Sequence, residues 1–237
     1  MHYLMRFFFF IIFLVPVMVF SQTNFEKAEK LFIQEKYSLA KPMFESILKE
    51  NPNNPKTLEY LGDIEGSNKS WDKALFYYGK LKKINPSNAN YYYKYGGCLG
   101  MKAKESNKFR ALGMIGDVKS NFEKAIQINP NHIEARWALI ELYLQLPAII
   151  GGSENKAQKY ASELLKISSV DGYLARGHIA EYFERYKDAE NQYSKAITMG
   201  GSKISYQKLY DLYKNKMDQP EKAKALLKNY QEKIKSK

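Results

Sequence analysis

The sequence predicts an all-α chain, a right-handed superhelical solenoid of antiparallel helix pairs. Residues 71–86, W-D-K-A-L-F-Y-Y-G-K-L-K-K-I-N-P, place Ala74, Tyr78 and Leu81 in steps of four and three, which is the spacing of one helix face. The same face stands 34 residues earlier as Tyr37, Ala40, Phe44, Ile47 and Pro52, and its second half returns 44 residues later as Phe122, Ala125 and Pro130. Faces repeated at a fixed period mean that each helix pair buries its apolar side on its neighbours. The 19 tyrosines and 13 phenylalanines fit helices packed through large planar side chains.

The chain opens on an uninterrupted apolar run, residues 7–20, with Arg6 before it and Ser21-Gln22 after it. This predicts a signal peptide over residues 1–21, cut ahead of Gln22, and one solenoid of about six helix pairs over 22–237. Fourteen residues are short of a bilayer span and contain Pro16, so an uncleaved anchor is the weaker alternative. No cysteine closes the run, so there is no lipid-anchor signal. The mature chain is therefore expected in the periplasm or outside the cell.

The first pair is expected over about 24–34 and 37–50. Phe25, Ala28, Leu31 and Phe32 share an apolar stripe on one helix, and Ala40, Phe44, Ile47 and Leu48 share one on the other. Pro42 falls near the start of the second helix, where a missing N–H is tolerated. Asn51-Pro52-Asn53-Asn54-Pro55 is a turn. In the second pair Leu58, Leu61, Gly62 and Ile64 precede the helix of residues 71–84, and Gly62 implies a close approach between the two. The third pair begins at Tyr91, Tyr92, Tyr93, Tyr95, Gly96 and Leu99, after which the period lengthens.

That added length is assigned to Met101–Gly113, read as extra helix and loop on one rim. Lys102, Lys104, Lys108 and Arg110 are expected to point outward, with Phe109, Leu112, Met114 and Ile115 folded back and Asp117 capping the next helix. The fourth pair starts at Ile133 and carries Trp137, Leu139, Leu142 and Leu144. It meets an apolar loop, Leu146 to Ser153, in which Pro147 stops the helix, Gly151 and Gly152 permit positive φ, and Ser153 opens the helix of 154–167. This loop, with Ile149, and the insert are the two departures from the 34-residue ruler. The fifth pair places Gly177 and Ile179 against Tyr186, Ala189, Tyr193 and Ala196, and the last spans about 205–214 and 219–235.

Chemistry is sparse. The formal net charge is +12, mostly from lysine, without a nucleic-acid motif beside it, so nucleic acid is not expected as a partner. A solvated basic surface, weakly drawn to acidic surfaces or anionic headgroups, is the simpler reading. The single cysteine, Cys98, cannot form an internal disulfide and reads as a small buried hydrophobe. No phosphate loop, His-Glu-x-x-His motif or nucleophile elbow occurs, and neither metal nor cofactor is expected. His132 reads as a solvated turn residue, and His178 as a partner for Glu181 on its own helix face.

Taken together, these residues closely resemble the tetratricopeptide repeat family. Its small-aromatic-small pattern stands here as Ala40/Phe44/Ile47, Ala74/Tyr78/Leu81, Val118/Phe122/Ala125, Ala157/Ala161/Leu164, Ala189/Tyr193/Ala196 and Ala223/Leu227/Tyr230. Its leucine-glycine pair stands as Leu61-Gly62, and its closing proline as Pro52, Pro86 and Pro130. The Phe-rich leader resembles leaders of exported Bacteroidetes proteins. The family resemblance implies a noncatalytic binding scaffold whose first helices line a concave groove. Carried onto this chain, the groove residues are Phe25, Glu29, Phe32, Glu59, Asp63, Asn90, Tyr93, Trp137, Glu141, Leu144, His178 and Glu181, with Lys208 and Asn215 beyond them. Their carboxylates imply a protein or peptide partner carrying basic and hydrophobic residues. The expected function is an interaction scaffold or adaptor in the cell envelope. The alternatives are a structural or oligomerising component docked through its basic insert and C-terminal helix, and a small-ligand binder using the aromatic groove.

Overall fold

The structure, a computed structural model, describes residues 24–235. The signal-peptide expectation lies outside them. Among the described residues the regular elements are helices: α1 (24–33), α2 (Tyr37–Glu50), α3 (Pro55–Ser67), α4 (Trp71–Ile84), α5 (Ala89–Glu105), α6 (Lys108–Ile128), α7 (Ile133–Gln145), α8 (Glu154–Ile167), α9 (Ser169–Tyr182), α10 (Tyr186–Met199), α11 (Lys203–Asn215) and α12 (Pro220–Lys235). One 3-10 turn, Ala148–Ile150, lies between α7 and α8. The chain divides into two compact units at Val118/Lys119.

In the first unit the repeated face is the core. Ala40, Phe44 and Ile47 of α2 pack with Ala28, Leu61 and Ile64, and Ala74, Tyr78 and Leu81 of α4 pack with Leu58 and Tyr91. Burying such a Leu, Ile or Phe contributes about 1.5–3 kcal/mol apiece. Helix entries are capped by the turn asparagines: Asn54 accepts from the Thr57 N–H, with Pro55 in the first helical position, and Asn88 accepts from Asn90. The turns inside the pairs close through Glu35 and Lys69, both left-handed at φ 58° and 57°, and Glu184 repeats this in the second unit. Pro42 lies at the sixth residue of α2, deeper than its expected place at the helix start.

The lengthened third repeat is not a separate excursion of helix and loop. It extends both helices of the pair, α5 to 17 residues and α6 to 21, against 13 and 14 for α3 and α4. Seven additional residues at 1.5 Å rise make α6 about 10 Å longer than α4. Asn107 caps α6 through the Arg110 N–H, whereas Asp117, the expected cap, lies within the helix. Met114 and Ile115 are half-buried, but Phe109 and Leu112 do not fold back: they are 88% and 45% exposed. Phe109 occupies the side of the helix opposite Val118, which is buried, so helix periodicity carries it outward.

In the second unit Leu174, Ala180, Ala189, Tyr193, Ala196, Leu209, Leu212, Tyr213 and Ala223 form the core, with Trp137 packed against its edge. Pro147 ends α7, whose last residue is Gln145, and Ser153 caps α8 through the Lys156 N–H, as the sequence predicts. In the last helix the packing position is taken by Leu226, and Leu227 is 46% exposed, contrary to its assignment in the repeat signature.

Candidate functional site

Two of the expected groove residues of the first unit, Glu59 and Asp63, meet on a cation absent from the sequence-based expectation, Lys94. The Lys94 ammonium stands 2.8 Å from Glu59 Oε1 and 2.9 and 2.8 Å from the two Asp63 oxygens. Burial opposes its charge, but bonds and attraction to Asp63 and Glu59 outweigh that and raise its pKa. Asp63 also accepts from the Tyr78 hydroxyl at 2.5 Å, and Glu29 accepts from Tyr60 at the same distance. Burial, aided by the Glu29 bond, pushes the Tyr60 phenol up to about 12. Phe25 and Phe32 are half-buried and pack on the rings of Tyr60 and, for Phe25, Phe44, so they serve the core edge. Asn90 is exposed and Tyr93 half-buried on α5.

In the second unit, Trp137 is half-buried, its Nε1–H donates to Asp171 at 3.2 Å, and its ring centroid lies 6.2 Å from that of His178. His178 Nε2 meets Glu141 Oε1 at 2.6 Å, and Gln145 donates to the other Glu141 oxygen at 3.1 Å. The bond from His178 holds the Glu141 carboxyl below its usual range, and Lys208 of α11 lowers it further. Two expectations are corrected here. His178 pairs with Glu141 on the neighbouring first helix, not with Glu181 on its own, and Glu181 instead accepts from Tyr193 at 2.7 Å. Leu144 is a core residue, 4% exposed, and cannot line a groove. Lys208 and Asn215 are exposed on α11.

His132, expected in solvent, is 5% exposed and caps α7 by accepting the Ala135 N–H. Burial lowers its pKa despite Glu134 beside it. The Cys98 thiol is pushed up to about 11 by burial, then by Asp63, which makes it a poor nucleophile at neutral pH. Among the described residues no group of three or more His, Cys, Asp or Glu side chains is placed to hold a metal ion, and no helix is long and apolar enough to cross a membrane.

The two irregular stretches differ in character. In the insert, Lys102 is paired with Asp72, and Glu105 accepts from Trp71 Nε1 at 2.6 Å with Lys69 at 4.0 Å, while Lys104, Lys108 and Arg110 point into solvent. The 146–153 loop is closed on itself. The Gly152 N–H reaches the Pro147 carbonyl, the Ser153 N–H reaches that of Tyr143, and Gly151 is left-handed at φ 105°. Pro147 is exposed, and Ile149 is 93% exposed at the tip.

A signal for the missed partners lay in the period itself. Lys94 follows Asp63 by 31 residues and Glu59 by 35, Trp71 precedes Glu105 by 34, and Trp137 precedes Asp171 by 34. In a stack of equivalent helices, residues one repeat apart are neighbours, so complementary groups at that separation can meet when the rotation of the packed helices allows it.

Stacked two-helix units of this kind define the tetratricopeptide-like class of all-α folds. No family model matches the chain, and no curated protein matches it by sequence. Among solved structures, TTC0263, a thermophilic TPR protein of Thermus thermophilus, is 19% identical with a TM-score of 0.62, covering 87% of this chain and 98% of its own. PilW, a type IV pilus biogenesis factor, is 16% identical with a TM-score of 0.63, covering 92% and 94%. YrrB, a TPR protein with an unusual peptide-binding site, is 15% identical with a TM-score of 0.51, covering 77% and 87%. At these identities the likeness establishes the fold.

Proposed function

We propose that this chain is a noncatalytic protein-interaction scaffold that holds a peptide or partner segment against the first helices of its pairs. The observation that carries this is the Trp137 cluster. Asp171 fixes the indole from one end, His178 and Glu141 stand beside it, and the residue keeps a minor part of its surface open to solvent. An aromatic side chain braced before a partner arrives costs little further ordering on binding, which is the character of an interface anchor. The peptide-binding site of YrrB, on the same fold, supports a protein partner. Because Glu29, Glu59, Asp63, Glu141 and Glu181 already have partners, the proposed segment is recognised first by an aliphatic or aromatic side chain and only secondarily by its basic residues. Placement in the envelope rests on residues 6–22, and PilW, a pilus factor, is compatible with it.

The test is photo-crosslinking from Gln145 and Lys208, with Lys187 of α10 as the control position. Adducts to a partner peptide are expected at the first two, reduced at least tenfold by Trp137→Ala. Equal adducts at Lys187, or indifference to Trp137→Ala, would overturn the reading.

A further inference from the structure

The extended α5–α6 hairpin carries at its end a combination that packing does not explain. Phe109 is 88% exposed and Leu112 45%, on one side of α6 together with Gly113 and Gly116, where an added Cβ would meet nothing within 4 Å. The local carboxylates are already engaged, Asp72 by Lys102 and Glu105 by Trp71 and Lys69. Lys108 and Arg110 flank Phe109 on α6, Lys104 stands near the end of α5, and all three are exposed and form no salt bridge among the described residues.

We propose that this tip docks on an anionic lipid surface, with Phe109 and Leu112 entering the interfacial layer and Lys104, Lys108 and Arg110 facing the headgroups. The arrangement favours lipid over an acidic protein for a geometric reason. The exposed ring stands at the end of a helix hairpin, with Lys108 and Arg110 about 100° to either side of it on α6 and Lys104 on the other helix, so the cations belong to different faces. A diffuse, fluid anionic surface satisfies such a tip without needing a pocket, whereas a protein partner would have to supply one for the ring. Each Lys or Arg near an anionic surface raises partitioning about fivefold, so three cations imply a preference of about a hundredfold for anionic over neutral vesicles. The proposal is independent of the Trp137 anchor, and its failure leaves that reading untouched.

The experiment uses the full chain carrying Phe109→Trp, so that the signal is local to the tip and separable from any binding by residues 7–20. Fluorescence quenching is measured with brominated phosphatidylglycerol and brominated phosphatidylcholine vesicles, the parent chain supplying the Trp71 and Trp137 baseline. Quenching of the added indole is expected at a lipid concentration at least tenfold lower for phosphatidylglycerol. Lys104→Ala, Lys108→Ala and Arg110→Ala together should abolish the preference, with circular dichroism confirming an unchanged helix content. No quenching of the added indole, quenching insensitive to loss of the three cations, or an emission shift of the added indole with soluble polyglutamate equal to that with phosphatidylglycerol vesicles would overturn the proposal, the last in favour of an acidic polypeptide.

Discussion

The ring of Tyr78 occupies the space that a side chain at Gly62 would need: an added Cβ would lie 2.8 Å from ring carbons Cε1 and Cζ. The fifth repeat copies this, since a Cβ added to Gly177 would lie 2.4 Å from the Tyr193 ring. Glycine in a helix costs about 1 kcal/mol relative to alanine, so both positions give up helix propensity to let two helices approach. Overpacking costs about 1–3 kcal/mol and outweighs that gain. Gly62→Ala and Gly177→Ala should each lower stability in urea unfolding by about 1–2 kcal/mol, Gly177→Ala the more because its contact is shorter. A stabilised Gly177→Ala chain would contradict this account of the packing.

Lys94 offers a second test. Replacing it with methionine leaves Glu59 and Asp63, each about 30% exposed, facing one another without their shared cation. Urea unfolding should show a loss of about 1–2 kcal/mol, the usual cost of stranding partly buried charged groups. In a double-mutant cycle with Asp63→Asn the two changes should be clearly non-additive; additivity would mean that the pair contributes nothing.

The tyrosine–carboxylate bonds set an alkaline limit. Tyr60 and Tyr213 each have a phenol raised from 10 to about 12, by burial first and then by Glu29 and Glu190 respectively. A phenol whose folded pKa lies above its unfolded value contributes stability that is complete below pH 10 and is lost as pH rises toward 12. Thermal melts should therefore fall across that window. Tyr60→Phe should flatten the decline, and an unchanged slope would count against the assignment.

The 146–153 loop separates conformational need from exposed chemistry. A Cβ on Gly152 would fall 1.8 Å from the Leu146 carbonyl oxygen, so Gly152→Ala should open the loop and cost at least about 2 kcal/mol. Ile149→Ser, at a tip side chain 93% exposed, should leave stability within about 0.5 kcal/mol. Chemical denaturation of the two variants side by side reads both.

Much of this architecture was legible without coordinates because helix pairing is a local matter of periodicity, turn residues and caps. Ala40, Phe44 and Ile47 proved to be core because a 3.6-residue period admits one buried face. The broken period marked where length is added but not the form it takes, since helix-compatible residues read alike in a loop and in a lengthened helix. Phe109 shows the difference: its apolarity suggested burial, and its angular position on α6 exposes it.

By itself, then, the sequence determined the helices, their order, the repeat length and the two places where that length fails. Only the tertiary structure decided which charges answer one another. Glu141 chose His178, Asp63 chose Lys94 and Tyr78, and Glu181 chose Tyr193, from helices 12 to 37 residues away along the chain. The reason is physical. Helix formation follows from neighbours within four residues, whereas an ion pair depends on the rotation and spacing with which two finished helices pack.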